Sequence, residues 1–509
     1  MIQALEKIKQ NKAIVRICNF QNSIWYVLCL AVVVLASHLS GFELPFIWIV
    51  VIATAFIFVM QEDLKPFVPT VLLLYFCIPR AHGSTGWADI GIWQTTPYVI
   101  NLCLIGAIFL AAFLFNFIYY KQYRNFKKIT FLTAGLAAFA ASYLTNGLFA
   151  HDYTIKNLGY GLTFALLYYV FYLFVFCTVK WKKGESMRYL AQCMVVMGLL
   201  ISVELAFLYM LNSDLHGIVP DKVYILLGWG NSNSIAFTTL LCLPFAFWLA
   251  WKEKYSLLYF LAATVMFTAI FFTYARGSLI VAGPMYLVGT VFLCFVAKRR
   301  LGIWIAAGCL LIAAIIMVFC FKDWMLDKLH IYIENGVKDR GRFRLWNLAL
   351  DGFKAAPVFG SGLYFKYGVD ESSLFYWAHN TILQIMATLG IFGLAAYLFH
   401  RVQTVYMCVK KPTSARLFAG LAILGILIAG MFDMVMICQN IILYYGIILA
   451  FAEKDFLCSI GKMDENGVWL NCKKEKSAEQ AAAVTEEPQA PTEPQDEEQT
   501  SQATEQENM

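Results

Sequence analysis

The chain has 509 residues, of which 60% are hydrophobic and 14% charged, with a formal net charge of +6. Soluble domains carry about a quarter charged residues, so a soluble enzyme or binding module of this length is excluded and an all-α polytopic membrane protein is implied. Most Lys and Arg sit between apolar runs, where they report topology rather than nucleic-acid binding.

The polar stretch from Glu6 to Asn22 is too long and too mixed for a cleavable leader. Apolar runs follow near 24–42, 44–60, 66–80, 97–120, 129–146, 158–179, 188–211, 232–251, 256–274, 278–297, 302–321, 379–400, 415–436 and 438–452. At about 20 apolar residues per span, these predict twelve to fourteen transmembrane helices. Lys7, Lys9, Lys12 and Arg16 precede the first run, which predicts a cytoplasmic N-terminus. With that start, every strongly basic short connection falls on the inner side. These are Lys121 to Lys128; Lys180 to Arg188; Lys252 and Lys254; Lys298 to Arg300; and Arg401, Lys410, Lys411 and Arg416. Arg276, the connection 212–231 and one large helical loop, 322–378, then lie outside. Residues 1–452 read as one transmembrane domain and 453–509 as a cytoplasmic tail. The tail lacks aromatics and apolar periodicity from about 477, and is expected to be disordered. The fourteen Cys lie mainly in apolar runs, without metal-ligand spacing, and read as small apolar side chains.

Three features on the predicted outer side could carry chemistry. Arg276, in Thr273-Tyr-Ala-Arg-Gly-Ser278, can bind phosphate oxygens through its fork of donors or serve as an interfacial anchor. The loop 322–378 is rich in cations, among them Arg342, Arg344 and Lys354. Its run from Arg342 to Lys354 has apolar residues at helical spacing, which predicts an amphipathic helix at the membrane surface, stopped by Pro357. Gly360 and Gly362 then allow a tight turn. His379, at the start of the next run, is the side chain best suited to exchange a proton near neutral pH, and Asn380 can cap a helix. Asp323, Glu334, Asp339, Asp370 and Glu371 are rival bases.

His379-Asn380 followed by Gly390-Ile-Phe-Gly393 resembles the His-Asn and Gly-x-x-Gly signature of the O-antigen ligase and O-antigen polymerase family. Gly341-Arg342-x-x-Leu345-Trp346 with Pro357-x-x-Gly360-x-Gly362 is similar to the family's loop-plus-helix element, and Arg344 to Leu348 to the Arg-x-x-x-Leu of ligases. Tyr274-Ala-Arg-Gly-Ser278 resembles its Ser-Arg-Gly element, with Ala275 in place of the usual Ser, and Asn231-Ser-Asn233 its Asn-x-Asn. The resemblance spans about 228–400. It implies a GT-C-like glycosyltransferase of the bacterial cytoplasmic membrane, working on the outer face without metal or other cofactor. The donor would be a glycan on undecaprenyl diphosphate, and the acceptor a glycan, a lipid or a protein. In that scheme His379 is the base, Arg276 and Arg342 hold the diphosphate with Arg344 in second rank, and Asn231, Asn233 and Asn380 are candidate sugar contacts. Direct attack would invert the anomeric centre. Ligase and polymerase differ in the acceptor; the Arg-x-x-x-Leu match at Arg344 to Leu348 leans to a ligase, and a polymerase stays close behind. The alternative from another class is a lipid-linked oligosaccharide flippase, which needs charges inside its spans; Glu204 and Asp433 are the candidates.

Overall fold

A backbone inside a bilayer must satisfy its hydrogen bonds within its own segment, so the apolar runs can only be helices. The computed structural model describes residues 2–40, 43–74, 96–127, 130–150, 155–212, 215, 222–320, 322, 326, 342–363 and 378–470. Two short helices, α1 (Ile2–Lys9) and α2 (Lys12–Gln21), precede α3 (Ile24–Ser40), α4 (Glu43–Met60), α5 (Phe67–Leu74) and α6 (Thr96–Tyr119). Next come α7 (Thr133–Phe149), α8 (Ile155–Ala165), α9 (Phe171–Thr178) and α10 (Glu185–Leu211); a π-helical turn, Leu166–Val170, joins α8 to α9. A minimal antiparallel ribbon, β1 (Leu226–Leu227) and β2 (Gly230–Asn231), leads into α11 (Ser232–Lys252). Then follow α12 (Ser256–Phe272), α13 (Arg276–Val296), α14 (Arg300–Cys320), α15 (Arg342–Ala355), α16 (Thr381–Val409), α17 (Ser414–Ala429) and α18 (Gln439–Ser459). Met1–Val468 form one compact unit.

The chain is an all-α polytopic membrane protein. All fourteen apolar runs fall mainly on helices; residues 41–42, 75–80, 129 and 321 of these runs lie outside the described residues, and 430–434 form a non-helical connection. Seven helices among the described residues are long and apolar enough to cross a membrane, with an eighth if α2 and α3, bent by 73°, act as one. The other runs form helices that are shorter or, in α18, interrupted by Glu453, Lys454 and Asp455. Helix α11 is the most enclosed, with 89% of its apolar window buried, against 6% for the peripheral α14.

One boundary differs from the hydropathy reading. The run expected to end at 400 continues in α16 to Val409, so Arg401 belongs to a helix and not to a connection. Its buried guanidinium donates to the Tyr445 hydroxyl at 2.6 Å and lies 4.5 and 4.9 Å from the ring centres of Tyr397 and Tyr445. Aromatic faces and a hydroxyl thus accept a charge that would otherwise end a span.

The basic connections gather at one end of the bundle. There Asp63 accepts from the backbone of Lys65 (2.9 Å) and Lys180 (2.8 Å), Lys180 pairs with Glu62 at 2.8 Å, and Arg188 pairs with Glu253 at 2.7 Å. Helix α11 runs from this end, at Lys252, to the opposite end, at Ser232, a distance of about 30 Å at 1.5 Å per residue.

Helix α16 is cut in two. At Gly390 the backbone has φ 66° and ψ −163°, a conformation almost confined to glycine. The segment after α15 fills the cut. Pro357 and Val358 carbonyls accept from the Ile391 and Phe392 amides at 2.8 and 3.2 Å, while the Ser361 and Gly362 amides donate to Ala387 and Thr388 at 2.8 and 3.2 Å. The Asn146 amide group donates to the Phe359 carbonyl at 2.9 Å and the Thr388 carbonyl at 2.5 Å. The Pro-x-x-Gly-x-Gly and Gly-x-x-Gly stretches are therefore two halves of one joint.

Candidate active site

The site is built where helix starts meet, at the end opposite the basic connections. Asn380 stands before α16 with extended backbone, and its Oδ1 accepts from the Ile382 and Leu383 amides, each at 3.0 Å. His379, just before it, has φ 46°, a left-handed conformation that non-glycine residues keep only where their surroundings enforce it. The enforcement is visible on both sides. Ala378 is fully buried, donates to Gln384 Oε1 at 2.8 Å and packs with Ala349 and Ala387, with Leu345, Leu348 and Leu383 around them. On the other side the Thr381 amide donates to the Gly430 carbonyl (2.8 Å), Asn380 Nδ2 to the Met431 carbonyl (3.1 Å) and Thr381 Oγ1 to the Asp433 carbonyl (3.1 Å).

This zipper brings Asp433 to His379, with Nδ1 to Oδ1 at 3.0 Å. Asp433 Oδ1 also accepts from the Met434 amide at 2.8 Å, and Oδ2 from Asn233 Nδ2 at 2.5 Å. A carboxylate only accepts, so the imidazole hydrogen belongs on Nδ1 and the lone pair on Nε2. The carboxylate is the more enclosed partner: the Asp433 side chain is 14% exposed and that of His379 37%. The imidazole is thus the more reachable of the two groups.

Arg276 opens α13. A Cβ on the next residue, Gly277, would stand 2.8 Å from Phe432 Cβ, so the first turn of α13 rests on the residue before Asp433. Tyr274, two residues earlier, also has positive φ, 55°.

The ribbon before α11 delivers the asparagines. Trp229, fully buried, donates from Nε1 to Glu204 Oε2 at 3.0 Å, and Asn440 Nδ2 donates to the Trp229 carbonyl at 3.3 Å. Asn231 is exposed and caps α11 by accepting from the Ser234 amide at 3.1 Å; Asn233, one turn on, reaches Asp433.

His379, Asn233, Asn380 and the start of α13 with Arg276 therefore come together. Asn231 and Asn380 spend their side-chain oxygens on helix caps. Arg342 and Arg344 lie on the first turn of α15, exposed, without a hydrogen-bond or ion-pair partner among the described residues. Their helix packs against the turn that carries His379 through Leu345, Leu348 and Ala349. The rival acids Asp323, Glu334, Asp339, Asp370 and Glu371 lie outside the described residues. Sequence reasoning missed Asp433 as part of the site. Its only signal is that of a lone acid in an apolar stretch, Gly430-Met-Phe-Asp-Met434.

Residues 261–398 match a family model described as O-antigen ligase. The match takes in Arg276, Arg342, Arg344, His379 and Asn380, and stops short of Asn231, Asn233 and Asp433. No curated protein matches the chain. Through the segment that holds its arginines and its histidine, the chain is similar to the O-antigen ligase family.

Proposed function

We propose that the chain is a membrane glycosyltransferase that transfers or polymerises a glycan carried on undecaprenyl diphosphate, at the outer face of the bacterial cytoplasmic membrane. The observation that carries the chemistry is the His379–Asp433 pair at 3.0 Å, with Asn233 on the far carboxylate oxygen and the first turn of α13, which Arg276 opens, against Phe432. In the reaction the acceptor hydroxyl gives its proton to His379 Nε2 as its oxygen attacks the anomeric carbon. A new C1–O bond forms, and the C1–O bond to phosphate breaks. The diphosphate leaves with that electron pair, and the anomeric centre inverts. Asp433 holds the imidazole ring and stabilises the imidazolium. General base catalysis of this kind contributes about a hundredfold to ten-thousandfold. Arg276 and Arg342, with Arg344 in second rank, meet the charge on the leaving diphosphate; fixed guanidinium groups in a dry site do this without reorganising. Asn231, whose side-chain nitrogen is not used by the α11 cap, is the first candidate to contact the sugar, with Asn233 and Asn380 behind it because their amides already bond Asp433 and Met431, and this chemistry calls on neither metal nor other cofactor. The gathering of basic connections at the far end supports an outward-facing site with cytoplasmic termini.

The test is product analysis in membranes bearing His379→Ala, with the lipid-linked donor followed in parallel. Loss of long glycan with donor accumulating outside is expected. The size of that donor separates a polymerase, which leaves single repeats, from a ligase, which leaves finished chains. Unchanged glycan, or donor trapped on the cytoplasmic face, would overturn the assignment and favour a flippase.

A further inference from the structure

The N-terminal helices α1 and α2 are used by none of this chemistry. We infer that they form a membrane-surface pad that binds the headgroups of anionic phospholipids at the end of the bundle opposite His379.

Helix α2 meets α3 at 73°, so it turns away from a spanning direction and lies across the bundle's end. At 100° per residue it has three flanks. Ile14, Cys18 and Gln21 face the protein, where Gln21 is buried, accepts from Gln61 Nε2 at 2.7 Å and donates to the Ala53 carbonyl at 3.3 Å. Ala13, Ile17 and Phe20 form the next flank and are exposed, with Ile17 at 44% and Phe20 at 41%. Lys12, Arg16 and Asn19 form the third flank, about a quarter-turn further, and are also exposed. A helix with a protein side, an apolar side and a basic side in that order fits a bilayer interface, with its apolar flank at the acyl boundary and its cations among phosphates. Trp25, 67% exposed at the start of α3, sits where an interfacial aromatic anchor belongs.

Helix α1 extends the same surface. It is fastened to the end of α6 by Lys9, whose ammonium lies 4.1 and 4.4 Å from the ring centres of Tyr119 and Tyr120. Just beyond α6, Lys121 and Arg124 add two more exposed cations. Lys7, Lys12, Arg16, Lys121 and Arg124 have no salt-bridge partner among the described residues. Five uncompensated cations beside an exposed apolar flank complement an anionic lipid surface, toward which each is attracted by about a fivefold factor near the headgroups.

The test uses the full chain in nanodiscs of phosphatidylcholine, with or without phosphatidylglycerol, and amide hydrogen exchange over residues 2–21. Exchange there is expected to slow at least about fivefold with phosphatidylglycerol at low salt, to lose that gain at high salt, and to leave α11 unchanged. The Lys7→Gln/Lys12→Gln/Arg16→Gln protein should exchange alike in both lipids, with α11 protection confirming that it is folded. Equal exchange of the wild-type protein in both lipids, or a full lipid response in the variant, would overturn the inference. So would equal slowing by inorganic phosphate in phosphatidylcholine alone, which would mark a free-anion site.

Discussion

Gly390→Ala tests whether the broken helix is a joint on which the site depends. At φ 66° and ψ −163°, an alanine carries about 1–3 kcal/mol of backbone strain. Its Cβ would stand 2.5 Å from the Val358 carbonyl carbon and 2.7 Å from the Gly360 nitrogen, both backbone atoms that no rotamer change can move. Relief by separating the strands of the joint gives up the Ile391-to-Pro357 and Phe392-to-Val358 bonds, each worth about 0.5–1.5 kcal/mol. The expected destabilisation is about 2–6 kcal/mol, a large part of a typical folding free energy. The assay is thermal unfolding of the full chain beside Gly308→Ala, a helical glycine with open space around it and an expected change within about 1 kcal/mol. Hydrogen exchange should rise at 357–362 and 387–392, and glycan transfer should fall even where the protein stays folded, because the joint seats α15 against the His379 turn. A Gly390→Ala protein as stable and as active as wild type would refute the reasoning.

Asp433→Asn should keep the fold and lower turnover about a hundredfold or more, since an amide neither fixes the Nδ1 hydrogen nor stabilises the imidazolium; wild-type turnover would remove Asp433 from the site. Arg276→Lys should retain part of the activity and Arg276→Ala little, measured as donor turnover, because an ammonium keeps the charge and loses the fork; equal rates for both would point to an anchoring role. Glu204→Gln should transfer glycan within about threefold of wild type, because a side-chain amide oxygen still accepts from Trp229, whereas Glu204→Ala leaves that indole N–H unpaired at about 1–3 kcal/mol and should unfold at lower temperature. Loss of product in Glu204→Gln, with donor held on the cytoplasmic face, would instead favour a carrier that needs an ionisable acid.

Hydropathy placed the helices well because a bilayer leaves the backbone no other choice, and the amphipathic spacing of 342–354 emerges as α15. It failed where a polar group is compensated from far along the chain. Arg401 looks like the end of a span until Tyr445, forty-four residues away, accepts its charge. Asp433 looks like an isolated acid until Asn233, two hundred residues earlier, bonds it. The Gly-x-x-Gly stretch was legible as a motif, but its cause, a cut helix filled by 357–362, depends on a pairing that only the fold makes. His379 could be singled out as a candidate because histidine chemistry is local; the carboxylate it pairs with could not, because that is a matter of assembly.

The cut in α16 also bears on electrostatics. It leaves a half-helix, 381–389, whose N-terminus stands at His379, next to the N-termini of α11 and α13. Helix starts carry partial positive charge, and here three of them surround one carboxylate. That field faces the Asp433 carboxylate together with the Met434 amide and Asn233 Nδ2, which donate to its two oxygens. In the proposed reaction the same field would favour a leaving diphosphate, so that carboxylate and leaving group would draw on one source of positive potential. A proton taken by His379 in that reaction would add a cation beside Asp433 at the moment the second anion forms. In the proposed reaction, proton transfer and departure of the diphosphate would in this way be coupled through charge, a physical reason for a histidine, rather than one more arginine, at the head of the broken helix.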